Sequence, residues 1–92
     1  MTFTKTDRTL MAMLFARGVV TEIDGVIPGT ERRFNVCCYR PNLFRAEEHY
    51  EGYISGVYGE DFRGDTLDET LDAMEAYMAT EAWMEEFVKG AV

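Results

Sequence analysis

The chain has 92 residues, 47% hydrophobic and 13% aromatic, with a formal net charge of −8. That supports one small core and too little chain for two, so residues 1–92 are read as a single domain. The negative balance counts against direct nucleic-acid binding, which needs a basic footprint. The absence of an 18-residue apolar run counts against a membrane span.

In chain order, "TKTDRTLMAMLFARG" predicts a helix. Thr4 or Thr6 can cap it, Asp7 suits its positive end, and Gly18 can stop it. Leu10, Met13 and Leu14, with Met11 nearby, form its expected apolar face. "VVTEI" (19–23) is β-branched and predicts a strand. Asp24-Gly25 and Pro28-Gly29 are turn signals, the second suited to a type II turn. "RRFNVCCY" alternates Phe34, Val36 and Cys38 against Arg33, Asn35 and Cys37, a second strand that pairs with the first as a hairpin. "RPNLFRAEEH" is a connection. "YEGYISGVYGEDF" also fits helical spacing from Asn42, but Gly52, Gly56 and Gly59 weaken a helix, so a third strand is predicted at about 51–58. Tyr53 and Tyr58 have odd spacing there, so one of them is expected on the exposed face, where a tyrosine can anchor a partner.

The stretch from Gly59 to Phe87 holds ten acids and one base. Residues 1–58 are neutral, with seven acids and seven bases, so the net charge sits in the last third. Thr66 and Glu69 form a Thr-x-x-Glu capping box, and Leu67, Leu71, Met74 and Met78 make one apolar stripe behind it. After Thr80 the apolar positions shift to Trp83, Met84, Phe87 and Val88, which predicts a bend or break near residue 80. The expected fold is α+β, a helix, a three-stranded antiparallel sheet and a helix (αβββα).

Opposite the stripe lie Asp68, Glu69, Asp72 and Glu75, preceded by Glu60, Asp61 and Asp65. These carboxylates rise about 4.5–6 Å per step, near the spacing of phosphates on a strand. They are read as a row that docks on arginine and lysine side chains, against the plainer reading of a solvated face. Asp65, Asp68, Glu69, Asp72 and Glu75 with Tyr53 make up the expected partner-binding set. Trp83 and Phe87 are expected either under the sheet or at a subunit contact. Cys37 and Cys38 are adjacent with no other cysteine, which points to a reduced, cytoplasmic protein. His49 beside Glu47 and Glu48 matches no usual zinc spacing and reads as a surface histidine, so no metal or cofactor is expected. No phosphate loop, serine elbow or paired-carboxylate motif is present, and an enzyme is the least expected class.

"GDTLDETLDAM" resembles the Gly-x-Thr-Leu-x-Glu-Ala-Leu segment that opens a helix in HicB-type antitoxins, over residues 64–71, with Thr70 in place of the alanine. In size, acidity and lack of catalytic residues the whole chain resembles small phage or mobile-element inhibitors of host defence, the anti-CRISPR and anti-restriction proteins of the DNA-mimic type. That resemblance implies a non-catalytic protein in the host cytoplasm. It would inhibit a nucleic-acid-processing partner by presenting its acidic helix to a basic nucleic-acid-binding surface. The alternatives are a small homo-oligomeric assembly protein, a homodimer in the simplest case, and an antitoxin masking a basic toxin.

Overall fold

The first helix, α1 (Lys5–Ala16), begins at Thr4. Thr4 Oγ1 accepts from the Asp7 N–H and the Asp7 carboxylate accepts from the Thr4 N–H, a reciprocal capping box. A computed structural model of the chain describes residues 2–18, 20–44 and 46–91, with the side chains of Trp83 and of residues 86–91 outside the described set. The buried line of α1 is Met11 and Phe15. The expected face, Leu10, Met13 and Leu14, is instead 55%, 44% and 42% exposed. The two lines lie roughly 130° apart on a helix. Both are apolar at helical spacing, so periodicity does not choose between them. Phe3 chooses: it is buried ahead of the helix, packs edge-on against Phe34 with ring centroids 5.1 Å apart, and seats α1 on its Met11–Phe15 side.

The sheet has four antiparallel strands in the order β1 (Glu22–Val26), β2 (Arg33–Tyr39), β3 (His49–Ile54) and β4 (Phe62–Gly64). The first two form the predicted hairpin, in the register Glu22↔Cys37 and Gly25↔Phe34, but β1 continues past Ile23 to Val26, so Asp24-Gly25 is paired strand and not a turn. At its turn the Thr30 N–H donates to Ile27 O at 3.0 Å, and Gly29 has φ 81°, as a type II turn requires. Two further expectations need correction. β3 ends at Ile54, where Ser55–Gly56 turns with Gly56 at φ 80°, so Tyr58 lies in a loop. A fourth strand follows, pairing Gly52↔Phe62 and Tyr50↔Gly64. Its three residues alternate, Phe62 and Gly64 buried and Arg63 exposed, but they are too few within an acidic run to be read from sequence.

Helix α2 (Leu67–Ala91) runs unbroken through residue 80. A shift of the apolar stripe does not break a helix. Breaking it takes a residue such as glycine or proline, and none occurs from Leu67 to Lys89. Thr80 Oγ1 donates to Ala76 O at 3.0 Å, and Glu81 is ion-paired with Arg32 at the start of the sheet.

Phe34, Val36, Cys38, Ile54 and Phe62 face the helices and meet Leu67, Leu71 and Met74 of α2. Gly52 and Gly64 let α2 approach closely. A Cβ at Gly52 would lie 2.5 Å from Met74 Sδ, and one at Gly64 would lie 2.9 Å from the Thr70 backbone nitrogen. Phe15 of α1 packs edge-on against Tyr50 on the same side, centroids 5.5 Å apart. Both helices thus cover one face of the sheet, and the molecule is a two-layer α+β domain. No helix among the described residues is long and apolar enough to cross a membrane.

Candidate functional site

The acidic face of α2 meets a cation from the other helix. Arg8 Nη1 donates to Asp68 Oδ1 at 3.0 Å. Arg8 Nη2 is an ion-pair partner of Asp72 at 2.8 Å and of Glu75 at 3.2 Å, although neither contact is aligned as a hydrogen bond. Its Nε also donates to Phe3 O at 3.3 Å. Burial disfavours the charge on Arg8, but the three carboxylates outweigh it and hold its pKa above the ordinary arginine value. Glu75 is spent twice, since its Oε1 accepts from the Phe3 N–H at 2.7 Å. The row that sequence spacing leaves unrelieved along its own helix is therefore bound from α1, sixty residues upstream of Asp68.

Glu69 and Asp65 are joined to each other at the start of α2. Thr66 Oγ1 accepts from the Glu69 N–H at 3.1 Å, the expected half of the capping box. The Glu69 carboxylate reaches one residue further than expected and accepts from the Asp65 N–H at 2.9 Å. Tyr53 is on the other side of the molecule. Gly52 and Ile54 are buried toward α2, so alternation turns Tyr53 to the opposite face. The expected binding set is thus divided among an interhelical clamp, a helix cap and the far face of the sheet.

That far face carries no helix. Its cross-strand rows are Glu22–Cys37–Glu51, Asp24–Asn35–Tyr53 and Tyr39–His49. Arg63 pairs with Glu51, and the Tyr39 ring stacks on His49 with centroids 4.8 Å apart and planes within 10°. His49 is only 9% exposed, with Nε2 3.7 Å from Glu51 Oε1, so it is not the surface histidine expected from sequence. Tyr53 and Tyr58 are both exposed, at 60% and 91%. Odd spacing would expose only one of them on a strand that continued past Ile54, and β3 ends there. Together they line a groove of about 620 Å³ with Asp24, Arg33, Asn35 and Glu60. Among the described residues, no ion pair reaches Asp24 or Glu60.

The two cysteines are free and occupy opposite faces, Cys38 buried and Cys37 half-buried. Burial, together with the Glu22 charge, raises the Cys37 pKa above 9.0. Burial also raises that of Cys38, helped by Glu48 and opposed by a hydrogen bond from Tyr50. Both thiols are thus poor sources of nucleophilic thiolate at neutral pH. Among the described residues no group of three or more His, Cys, Asp or Glu side chains is placed to hold a metal ion. The Trp83 and Phe87 side chains lie outside the described residues. From sequence, Tyr58 is the alternative to Tyr53, Glu60 belongs to the acidic run ahead of α2 and Asp24 to a turn; Arg33 has no assigned role, and nothing in the spacing brings the four to one groove.

Comparison of the chain with protein-family models, with curated proteins and with solved structures found no significant match.

Proposed function

We propose that the chain is a non-catalytic binding protein that inhibits a nucleic-acid-processing partner, such as a CRISPR or restriction complex. It would do so by covering the partner's basic nucleic-acid-binding surface in the host cytoplasm. The observation behind this reading is the uncovered sheet face, where exposed Tyr53 and Tyr58 share a groove with Asp24 and Glu60, carboxylates that no ion pair reaches among the described residues. Tyrosine is enriched where proteins meet, and carboxylates steer a basic partner toward the same place. The acidic helix takes a smaller part than its composition suggests. Asp68 and Asp72 stay 72% and 66% exposed and add to the negative field, but Arg8 fixes their positions. The test is displacement of a fluorescent DNA duplex from a panel of restriction and CRISPR complexes. Salt-sensitive displacement from one of them, lost on combining Tyr53→Ala with Asp24→Lys, supports the reading. Failure to displace DNA from any of them counts against it.

A second reading has its own observation. Leu10, Met13 and Leu14 of α1 form an exposed apolar face, the kind of surface a homodimer buries. A native mass above 10.5 kDa that returns to monomer on Leu14→Gln favours assembly.

A further inference from the structure

We infer that the groove at the Ser55–Glu60 end of the uncovered face receives an arginine side chain from the partner, an inference that rests on the reading of this protein as a binder of a basic surface. Two kinds of group meet in the groove. Tyr53 and Tyr58 offer ring faces kept out of the core, and Asp24 and Glu60 offer carboxylates that no described cation neutralises. The guanidinium of arginine uses both at once. Its plane stacks on an aromatic ring while its edge N–H groups donate to carboxylates. An ammonium of lysine satisfies the charge but has no plane to stack.

Other occupants fit less well. An apolar ligand would cover the rings and bury the carboxylates unpaired, which is costly. A second copy of this chain would bring another net charge of −8 to an already acidic face. The walls suit a site that keeps its shape. β1, β2 and β3 form the floor, and the loop carrying Tyr58 turns at Gly56 and Gly59, both at φ 80°. Its course is thus set by glycine backbone and not by the tyrosine ring.

Arg33 lines the same groove, and no ion pair reaches it among the described residues. It is the built-in competitor for Asp24 and Glu60. Removing its charge should therefore strengthen binding of an incoming arginine, the opposite of what loss of a structural contact would do.

The experiment titrates the full chain, followed by amide chemical shifts, with capped peptides holding one arginine, lysine or citrulline between neutral residues. The expected shifts cluster at Asp24, Tyr53, Tyr58 and Glu60. The arginine peptide should bind about threefold tighter than lysine, the size of an exposed cation–π contact, and citrulline should bind more weakly than either. Tyr58→Ala, in a loop where the fold has little at stake, should remove the preference for arginine over lysine, and Arg33→Gln should tighten arginine binding about threefold. Equal binding of all three peptides, shifts away from the groove, or an unchanged preference in Tyr58→Ala would overturn the inference. Displacement of DNA from a nucleoprotein would still support the function proposed above. Arginine binding in the groove with no such displacement would retain the site and remove the inhibitor reading.

Discussion

Arg8 Nη2 lies 2.8 Å from Asp72 Oδ1 and so ties α1 to α2 across the helical layer. The same guanidinium holds Asp68 and Glu75, and its side chain is 14% exposed. Three carboxylates on one helix face are thereby a means of fastening the N-terminal helix. The negative charge has a structural use of its own.

Arg8→Ala should lower stability by about 2 kcal/mol, in the range of hydrogen bonds to charged groups, because it also leaves three carboxylates facing one another. Arg8→Lys should recover part of that loss, since an ammonium keeps the charge without the fork. In a double-mutant cycle, Arg8→Ala combined with Glu75→Gln should lose less than the two single changes summed. Urea melts measure all three, and additive losses would show that the pair does not interact.

Leu71 is 0% exposed and Leu14 is 42% exposed, although both sit in apolar helical patterns. Leu71→Ala should cost about 2–5 kcal/mol and Leu14→Ala well under half as much. Thr66→Ala, which removes the acceptor of the Glu69 N–H, should cost about 0.5–2 kcal/mol. The order of the three denaturation midpoints checks which faces are buried.

Gly64→Ala tests the close approach of α2. The new Cβ would meet backbone at Thr70 and cannot be accommodated by a side-chain rotation. The expected loss is about 1–3 kcal/mol, as for overpacking elsewhere. At Gly52 the nearest atom is the flexible Met74 Sδ, so Gly52→Ala should be partly relieved by Met74→Leu. A Gly64→Ala variant as stable as wild type would show that α2 lies further from β4.

Alkaline pH should destabilise the fold. Burial raises Cys37 and Cys38 above 9.0, and it raises Tyr50 above 10.0, with Cys38 and Glu48 adding to it. The native state keeps these protons to higher pH than the unfolded chain does. The stability they contribute is fully present below the unfolded values and is lost as pH rises through the raised native ones. The urea midpoint should therefore hold steady up to about pH 8.5 and fall above about pH 9. Cys38→Ala with Tyr50→Phe should flatten that fall, and a midpoint unchanged at high pH would contradict it.

The fold was legible where pattern and punctuation agree. Thr66 with Glu69, the stripe Leu67–Leu71–Met74 and the alternation of Phe34, Val36 and Cys38 all found their places. It was not legible where two answers look alike in one dimension. Leu10–Met13–Leu14 and Met11–Phe15 are equally helical, and only Phe3 and the sheet decide between them. β4 is too short for its alternation to be read, and the slip at Thr80 falls within one continuous helix. The role of Asp68, Asp72 and Glu75 depended on Arg8, a residue far off in sequence, and no local spacing could reveal it. Tyr53 was visible by its phase on the strand. Its groove partners were not, because Asp24 comes from β1 and Glu60 from a loop beyond β3.

Whether the groove or the acidic helix carries binding is decided by two paired charge reversals, Asp24→Lys with Glu60→Lys and Asp68→Lys with Asp72→Lys, compared for DNA displacement from a responsive complex beside a thermal melt of each variant. The groove pair is expected to melt like wild type and no longer to displace DNA. The helix pair should melt lower, through repulsion of Arg8, and should displace DNA in proportion to the folded fraction. A helix pair that is fully folded and inactive, beside a groove pair that displaces DNA like wild type, would contradict this and return the binding role to the acidic helix.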